Sequence, residues 1–168
     1  MRIIHLDTVD STNDYLKREL VAARLSPPVA VLAEQQSAGR GQFERAWDSP
    51  PGWTYLSLAL AVPPGSQREL GQMSLITALA VRAAMRKFLT QELLKIKYPN
   101  DIYLGKRKVA GILIETKGDQ MVVGIGVDGK AEHLPQGLIA ELQSRLQLWR
   151  QAGFSFQPFQ AEYQNNIF

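Results

Sequence analysis

The stretch Leu93 to Val127, LLKIKYPNDIYLGKRKVAGILIETKGDQMVVGIGV, decides the fold. Its apolar residues fall in four short runs: Leu93 to Tyr98, Ile102 to Leu104, Val109 to Glu115 and Met121 to Val127. Gly105-Lys106 and Lys117-Gly118-Asp119 separate the later runs and carry the chemistry of tight hairpin turns. Connections this short join antiparallel neighbours, because a parallel pair needs a crossover of a dozen residues or so. With helices before and after the hairpins, the pattern predicts an α+β domain with a largely antiparallel sheet.

Upstream, Ser11 or Thr12 can cap a helix running to about Arg24, with Tyr15, Leu16, Leu20 and Ala23 as its apolar stripe. Ser26-Pro27-Pro28 ends it, and Val29 to Ala33 reads as a buried strand. Gln35 to Pro51 then has no periodicity and is rich in Gly, Arg, Gln and Pro; a loop of that length in a compact domain is usually functional or disordered. Trp53 to Val62 reads as a strand entering the core, broken by Pro63-Pro64-Gly65. A long helix is expected from Ser66 to about Leu89, apolar nearly all round between Met73 and Val81 and therefore a buried spine. Gln136 to Gln151 and Pro158 to about Asn166 read as two outer amphipathic helices. No repeat, low-complexity tract or linker interrupts the chain, so residues 1–168 are expected to be a single domain.

Composition narrows the function. With 168 residues, 45% hydrophobic and 21% charged, the chain can bury a core without staples. It has no cysteine, hence neither disulfides nor thiolate chemistry, and its two histidines, His5 and His133, are far apart in sequence. No apolar run approaches the roughly 20 residues that cross a bilayer, and the N-terminus turns polar too early for a signal peptide. A soluble cytoplasmic protein, with no membrane and no DNA partner, is the expectation. A net charge of +3 and a pI near 9.3 suit phosphate-bearing ligands without demanding them.

Several motifs have a bland reading and a chemical one. Gly124-Ile125-Gly126-Val127-Asp128-Gly129 is formally G-x-G-x-x-G, but Lys130 to Pro135 intervene where a dinucleotide site needs a helix at once. It reads as a strand ending in a turn, and no P-loop is present either. Ser11-Thr12-Asn13 is an ordinary N-cap or a helix start presenting hydroxyl and amide groups to a polar ligand. In Ala38-Gly39-Arg40-Gly41-Gln42, the glycines let backbone approach a ligand while the guanidinium reaches an anion; a solvated loop is the alternative. Trp47 could cover a ligand or anchor that loop. Turn chemistry alone explains Pro99-Asn100-Asp101. Lys108 lies three residues before Gly111, where a ligand could lie close against the strand.

In order and spacing these pieces resemble the biotin protein ligase family, within the biotin/lipoate ligase superfamily. Its signatures are S-T-N, a Q-x-A-G-R-G loop ending at tryptophan, K-W-P-N-D and K-x-A-G-I-L. They are matched by Ser11-Thr12-Asn13, by Gln36 to Gly41 through Trp47, by Lys97-Tyr98-Pro99-Asn100-Asp101 and by Lys108 to Leu113. The resemblance covers roughly Leu6 to Val127. It implies a class II aminoacyl-tRNA-synthetase-like fold, a mixed, mostly antiparallel sheet flanked by helices. It also implies an ATP-dependent ligase, with Mg²⁺ on the phosphates. Biotin would be activated as biotinyl-5'-AMP and passed to a lysine of the biotin carboxyl carrier domain of acetyl-CoA carboxylase. The first step brings a carboxylate against a polyanion. Two like charges about 4 Å apart repel by roughly 4 kcal/mol at an effective dielectric near 20, so cations must converge there.

Carried over residue by residue, Lys108, Arg40 and Asp101 are the expected catalytic groups. Biotin would be held by Ser11, Thr12, Asn13, Gln36, Gly39, Arg40, Trp47, Lys108, Gly111 and Gly124. The nucleotide would meet Arg40, Gln42, Lys97, Asn100, Asp101, Lys108 and Asp128, while the metal ligands stay undefined. Four positions depart from the family pattern: Gln42 and Glu44 replace an arginine and a glycine, Tyr98 replaces a tryptophan, and Asp128 replaces an asparagine. Fewer charges on the loop predict faster leakage of the adenylate. The resemblance leaves a homodimer open. With Ser11 already in the first motif and the chain ending at Phe168, neither the DNA-binding domain of regulatory members nor the family's small C-terminal β-barrel is expected. Two alternatives stand beside this reading: a lipoate or octanoate ligase or transferase, and a non-catalytic biotin- or nucleotide-binding module.

Overall fold

The computed structural model describes residues 1–88 and 94–168. The elements run β1 (Arg2–Val9), α1 (Thr12–Val21), β2 (Val29–Gln36), β3 (Thr54–Ala61), α2 (Met73–Met85), β4 (Leu94–Lys97), β5 (Asp101–Leu104), β6 (Arg107–Lys117), β7 (Gln120–Val127), α3 (Leu134–Gln151) and α4 (Gln160–Gln164). Strand order is β1-β2-β3-β7-β6-β5-β4 in one seven-stranded sheet. β1–β2 is parallel, with α1 as its crossover; β2–β3, β3–β7, β4–β5 and β5–β6 are antiparallel. The expected α+β fold with a mostly antiparallel sheet is the one observed.

The chain packs as two compact units, residues 1–64 with 112–130, and 65–111 with 131–168, so β6 contributes its first half to one and its second half to the other. In the first unit, Val31, Ser57 and Gly124 stand opposite one another across β2, β3 and β7, as do Val29, Ala59 and Val122. Because side chains alternate faces along a strand, these residues share one face of the sheet. Leu16 of α1 seats on Val29, Val31, Ala59 and Val122, ringed by Ile4, Leu6, Tyr15, Leu20 and Leu25. In the second unit, α2 packs on α3, and Ile76, Leu79, Leu94, Ile96, Leu142, Trp149 and Phe159 are all buried.

Differences from the sequence expectations have local causes. β1 carries no element in the sequence reading, because an edge strand with no fully buried residue and exposed polar breaks at His5, Asp7 and Thr8 shows no clean alternation. The first helix stops at Val21, short of Arg24, since Ala23 turns left-handed at φ 52°. The long second helix begins as a 3-10 segment, Gln67–Gln72, and becomes α-helical only at Met73. Its expected end at Leu89, and the start of the next strand at Leu93, lie outside the described residues. The last helix is a 3-10 turn, Gln157–Phe159, followed by only five α-helical residues.

Candidate functional site

In the first unit, the start of α1 is built into the sheet. Ser11 caps the helix with extended backbone, its Oγ accepting from the Asp14 amide at 3.4 Å. Ser11, Thr12 and Asn13 are each at most 4% exposed, so their polar atoms need partners inside the protein or from a ligand. Gln36, at the end of β2, accepts at its Oε1 from Thr12 N at 2.8 Å and lies 3.1 Å from Thr12 Oγ1. Its Nε2 donates to Ser49 Oγ at 3.0 Å, which in turn donates to the Trp47 carbonyl. Ser57, fully buried on β3, places its Oγ 2.7 Å from Thr12 Oγ1 and 2.6 Å from Asn13 Oδ1. Asn13 Nδ2 donates to Glu115 Oε2 at 2.9 Å and to the Leu113 carbonyl at 3.3 Å, both on β6.

Two glycines make this packing fit. Gly124 stands opposite Ser57 in the β3–β7 register, and Asn13 occupies the space where a side chain would be. A Cβ there would be 2.3 Å from Asn13 Oδ1. A Cβ on Gly39 would be 2.5 Å from Ser49 Oγ and 2.6 Å from the Trp47 carbonyl. The loop's two ends are joined where Trp47 N donates to the Gly39 carbonyl at 2.8 Å and Arg40 bridges Ala46. The Trp47 indole lies against β7 at Gly126, whose added Cβ would meet its Nε1 at 2.7 Å.

Arg40 is held by two acidic side chains. Its Nε and Nη2 donate to the two oxygens of Asp14 at 2.9 and 2.6 Å, and Nη2 reaches Glu115 Oε1 at 3.2 Å. Lys17 joins the same cluster, 2.8 Å from Asp14 and 2.7 Å from Glu115. Burial alone would raise the Asp14 carboxyl; hydrogen bonds from Arg40 and Lys17 outweigh it and hold it below the usual range. Burial opposes ionisation of Glu115 likewise, and Lys17, Asn13 and Arg40 outweigh it. The hydrogen bond to Asp14 leads the causes that raise Arg40.

The second unit carries the other predicted residues. Asp101 opens β5 opposite Gly111 of β6, and then the register shifts, so that Lys108 pairs with Tyr103. Without that bulge Lys108 would oppose Leu104 and face away from Asp101; with it, both side chains share one face. Lys108 Nζ accordingly lies 2.7 Å from Asp101 Oδ1. Asn100 is buried in the turn before β5. Lys97 ends β4 opposite Asp101, yet its Nζ sits 5.1 Å above the Tyr103 ring.

Of the expected site residues, Ser11, Thr12, Asn13, Gln36, Gly39, Arg40, Trp47 and Gly124 come together in the first unit. Lys108, Asp101 and Gly111 do so in the second. Gln42 begins a 3-10 turn, Gln42–Glu44, and its carbonyl accepts from Arg45 N at 3.3 Å. Asp128 follows β7, where its charge, after burial and with Asp48, pushes the Tyr55 hydroxyl up to about 12. Sequence reading missed Ser49, Ser57, Asp14, Lys17 and Glu115. Ser57 left a signal, a hydroxyl inside an otherwise apolar strand, and Glu115 another, an acid closing an apolar run. Among the described residues, no group of three or more His, Asp or Glu could hold a metal ion, and no helix is long and apolar enough to cross a membrane.

Residues 6–128 match the biotin/lipoate A/B protein ligase family. The bifunctional ligase/repressor BirA of Escherichia coli is 35% identical over 140 residues, covering 80% of this chain and 42% of BirA. A biotin–[acetyl-CoA-carboxylase] ligase of Paracoccus denitrificans is 38% identical over 130 residues, covering 73% of this chain and 52% of that protein. The chain thus spans about half the length of the relatives it matches. The structure of a biotin protein ligase from Aquifex aeolicus, in complex with biotin and ATP, superposes with a TM-score of 0.85 at 26% identity, over 99% of this chain and 78% of that one. By its motifs, its sheet and the extent of this match, the chain belongs to the biotin/lipoate A/B protein ligase family.

Proposed function

We propose that the chain activates biotin with ATP as biotinyl-5'-AMP and transfers it to a lysine of a biotin carboxyl carrier domain, in the cytoplasm. The observation that carries this reading is the directed polar chain at the start of α1. Asn13 uses its Nδ2 as donor to Glu115 and Leu113, so its Oδ1 is an acceptor and takes the single Ser57 proton. Thr12 Oγ1 lies 2.7 Å from Ser57 Oγ and 3.1 Å from Gln36 Oε1, so its one proton is taken inside the protein and its oxygen offers a lone pair to an incoming N–H. Gln36 is likewise oriented, its oxygen on Thr12 N and its nitrogen on Ser49. A cyclic urea, with two N–H donors and one carbonyl, suits such a set of buried, pre-oriented groups. A site built to pair polar groups discriminates strongly against ligands that lack them.

Chemistry at the carboxylate falls to Lys108 and the turn before β5. A biotin carboxylate oxygen attacks the α-phosphorus of ATP, and the bond to pyrophosphate breaks. The Lys108 ammonium would neutralise charge on the carboxylate and α-phosphate as it develops, the main catalytic device for such transfers. At rest that ammonium is held by Asp101 at 2.7 Å. Once Lys108 turns to the anions, Asp101 becomes available to accept a proton from the acceptor lysine. That amine attacks the acyl carbon, and AMP departs. Lys97, Asn100 and Asp128 would lie on the nucleotide side, and Gln42 on the loop. The described residues provide no carboxylate cage for Mg²⁺, so the ion would accompany the phosphates.

Pyrophosphate release on adding ATP with biotin, lipoate or octanoate tests the reading. Release with biotin alone is expected. Release with lipoate or octanoate but not biotin would assign the alternative substrate, and ATP binding without release would leave a non-catalytic module.

A further inference from the structure

We propose that Asp14 and Glu115 are positioning residues of the biotin site, holding Arg40 as a latch that keeps the Gly39-Arg40-Gly41 loop docked on α1. The proposal rests on the reading of the site given above.

Both oxygens of Asp14 receive Arg40, through Nε at 2.9 Å and Nη2 at 2.6 Å, the parallel fork that makes an arginine–carboxylate pair specific as well as strong. Glu115 adds a third contact and simultaneously takes Asn13 and Lys17. One carboxylate therefore ties the loop, the helix start and the polar chain behind Thr12 together. The cluster holds two cations and two anions, so its charge is balanced before any ligand arrives. A ligand carboxylate or phosphate would have to displace Asp14 to reach Nε or Nη2 of Arg40.

The backbone shows what the latch secures. Arg40 bridges Ala46, Gly41 N donates to the Arg45 carbonyl at 2.7 Å, and Trp47 N donates to the Gly39 carbonyl. Holding the Arg40 side chain fixes this short ladder, and with it Gly39 against Ser49 and the Trp47 carbonyl. The loop's contribution to binding is then its backbone held in place, with Arg40 acting through the loop.

A latch and a direct substrate contact make opposite predictions for Asp14→Asn. If Arg40 touched the ligand, Asp14 would compete for it, and Asp14→Asn would leave biotin binding unchanged or tighter. If Arg40 is a latch, Asp14→Asn loosens the loop and weakens binding. The experiment measures the KM for biotin and for ATP, with kcat, in pyrophosphate release by wild type, Asp14→Asn, Arg40→Gln and the double variant. In parallel, amide exchange over residues 37–47 is followed with no ligand present. The latch predicts a rise of about tenfold in the biotin KM for each single variant, the scale of one lost charge-assisted hydrogen bond. The ATP KM stays near wild type, the double variant is no worse than the worse single, and loop exchange is faster in all three. A biotin KM in Asp14→Asn at or below wild type, multiplicative effects in the double variant, or unchanged loop exchange would each overturn it. Absence of pyrophosphate release from the wild type would instead sink the ligase reading, while the exchange measurement still decides the latch.

Discussion

Gly124→Ala is the smallest change that tests how the polar chain is packed. The added methyl would stand 2.3 Å from Asn13 Oδ1, 2.9 Å from Cγ and 3.0 Å from Nδ2. Carbon and oxygen normally approach no closer than about 3.3 Å, so the Asn13 amide must retreat by about 1 Å. It has nowhere to go cheaply, being 3% exposed and tethered to Ser57 at 2.6 Å and to Glu115 at 2.9 Å. A shift of that size stretches both contacts beyond hydrogen-bonding range. Losing the neutral bond costs about 1 kcal/mol and the one to the carboxylate about 2 kcal/mol, so the variant should lose about 3 kcal/mol. That is also the upper range for overpacking a close-packed site, about 1–3 kcal/mol. Urea unfolding of the two proteins reads the difference. The same substitution in an Asn13→Ala background, where the clashing amide is gone, should cost less than about 1 kcal/mol by the same reasoning. An equal cost in both backgrounds, or none in the first, would refute the argument.

Asp101→Ala should abolish turnover while changing stability by less than about 1 kcal/mol, because its partner Lys108 has a side chain 36% exposed and such pairs contribute little; normal activity from the folded variant would remove Asp101 from the reaction. Gln42→Arg adds a cation to the loop and should slow release of biotinyl-5'-AMP from preloaded protein, whereas an unchanged off-rate would show that loop charge does not set retention. The latch carries its own pH dependence. Asp14 and Glu115 have folded pKa values below their ordinary 3.8 and 4.5, so their ion pairs contribute fully above those values and are lost as pH falls through the lower, folded ones. Amide exchange over residues 37–47, corrected for its intrinsic pH dependence, should therefore lose protection only below about pH 4.5, and the Asp14→Asn/Glu115→Gln variant should lack that acid step; protection lost at higher pH, or an unaltered step in the variant, would contradict it.

The sequence made the hairpins and their order legible because their turns are short and chemically explicit. Gly105 and Gly118 adopt φ of 59° and 60°, as tight turns there require. It also offered Ser11 or Thr12 as the helix cap, and Ser11 takes that place. Other features depend on contacts distant in sequence. β1 gains its regularity from pairing with β2, which no local pattern announces. The bulge opposite Tyr103, which turns Lys108 towards Asp101, is a property of the pairing and not of either strand alone. Arg40 is the sharpest case. An arginine between glycines reads as an anion-binding group, and only the fold reveals that Asp14, 26 residues earlier, and Glu115, 75 residues later, already take it. Ser57 shows the converse, a polar residue whose buried position on an apolar strand was visible but whose partners were not.

The most direct test of the central claim is transfer of labelled biotin to an isolated carboxylase carrier domain, with and without ATP. The account predicts covalent label on the carrier lysine that requires both ATP and biotin, and that disappears in Lys108→Ala and Asp101→Ala. No label on the carrier in the presence of ATP, or label that forms equally without it, would contradict the account.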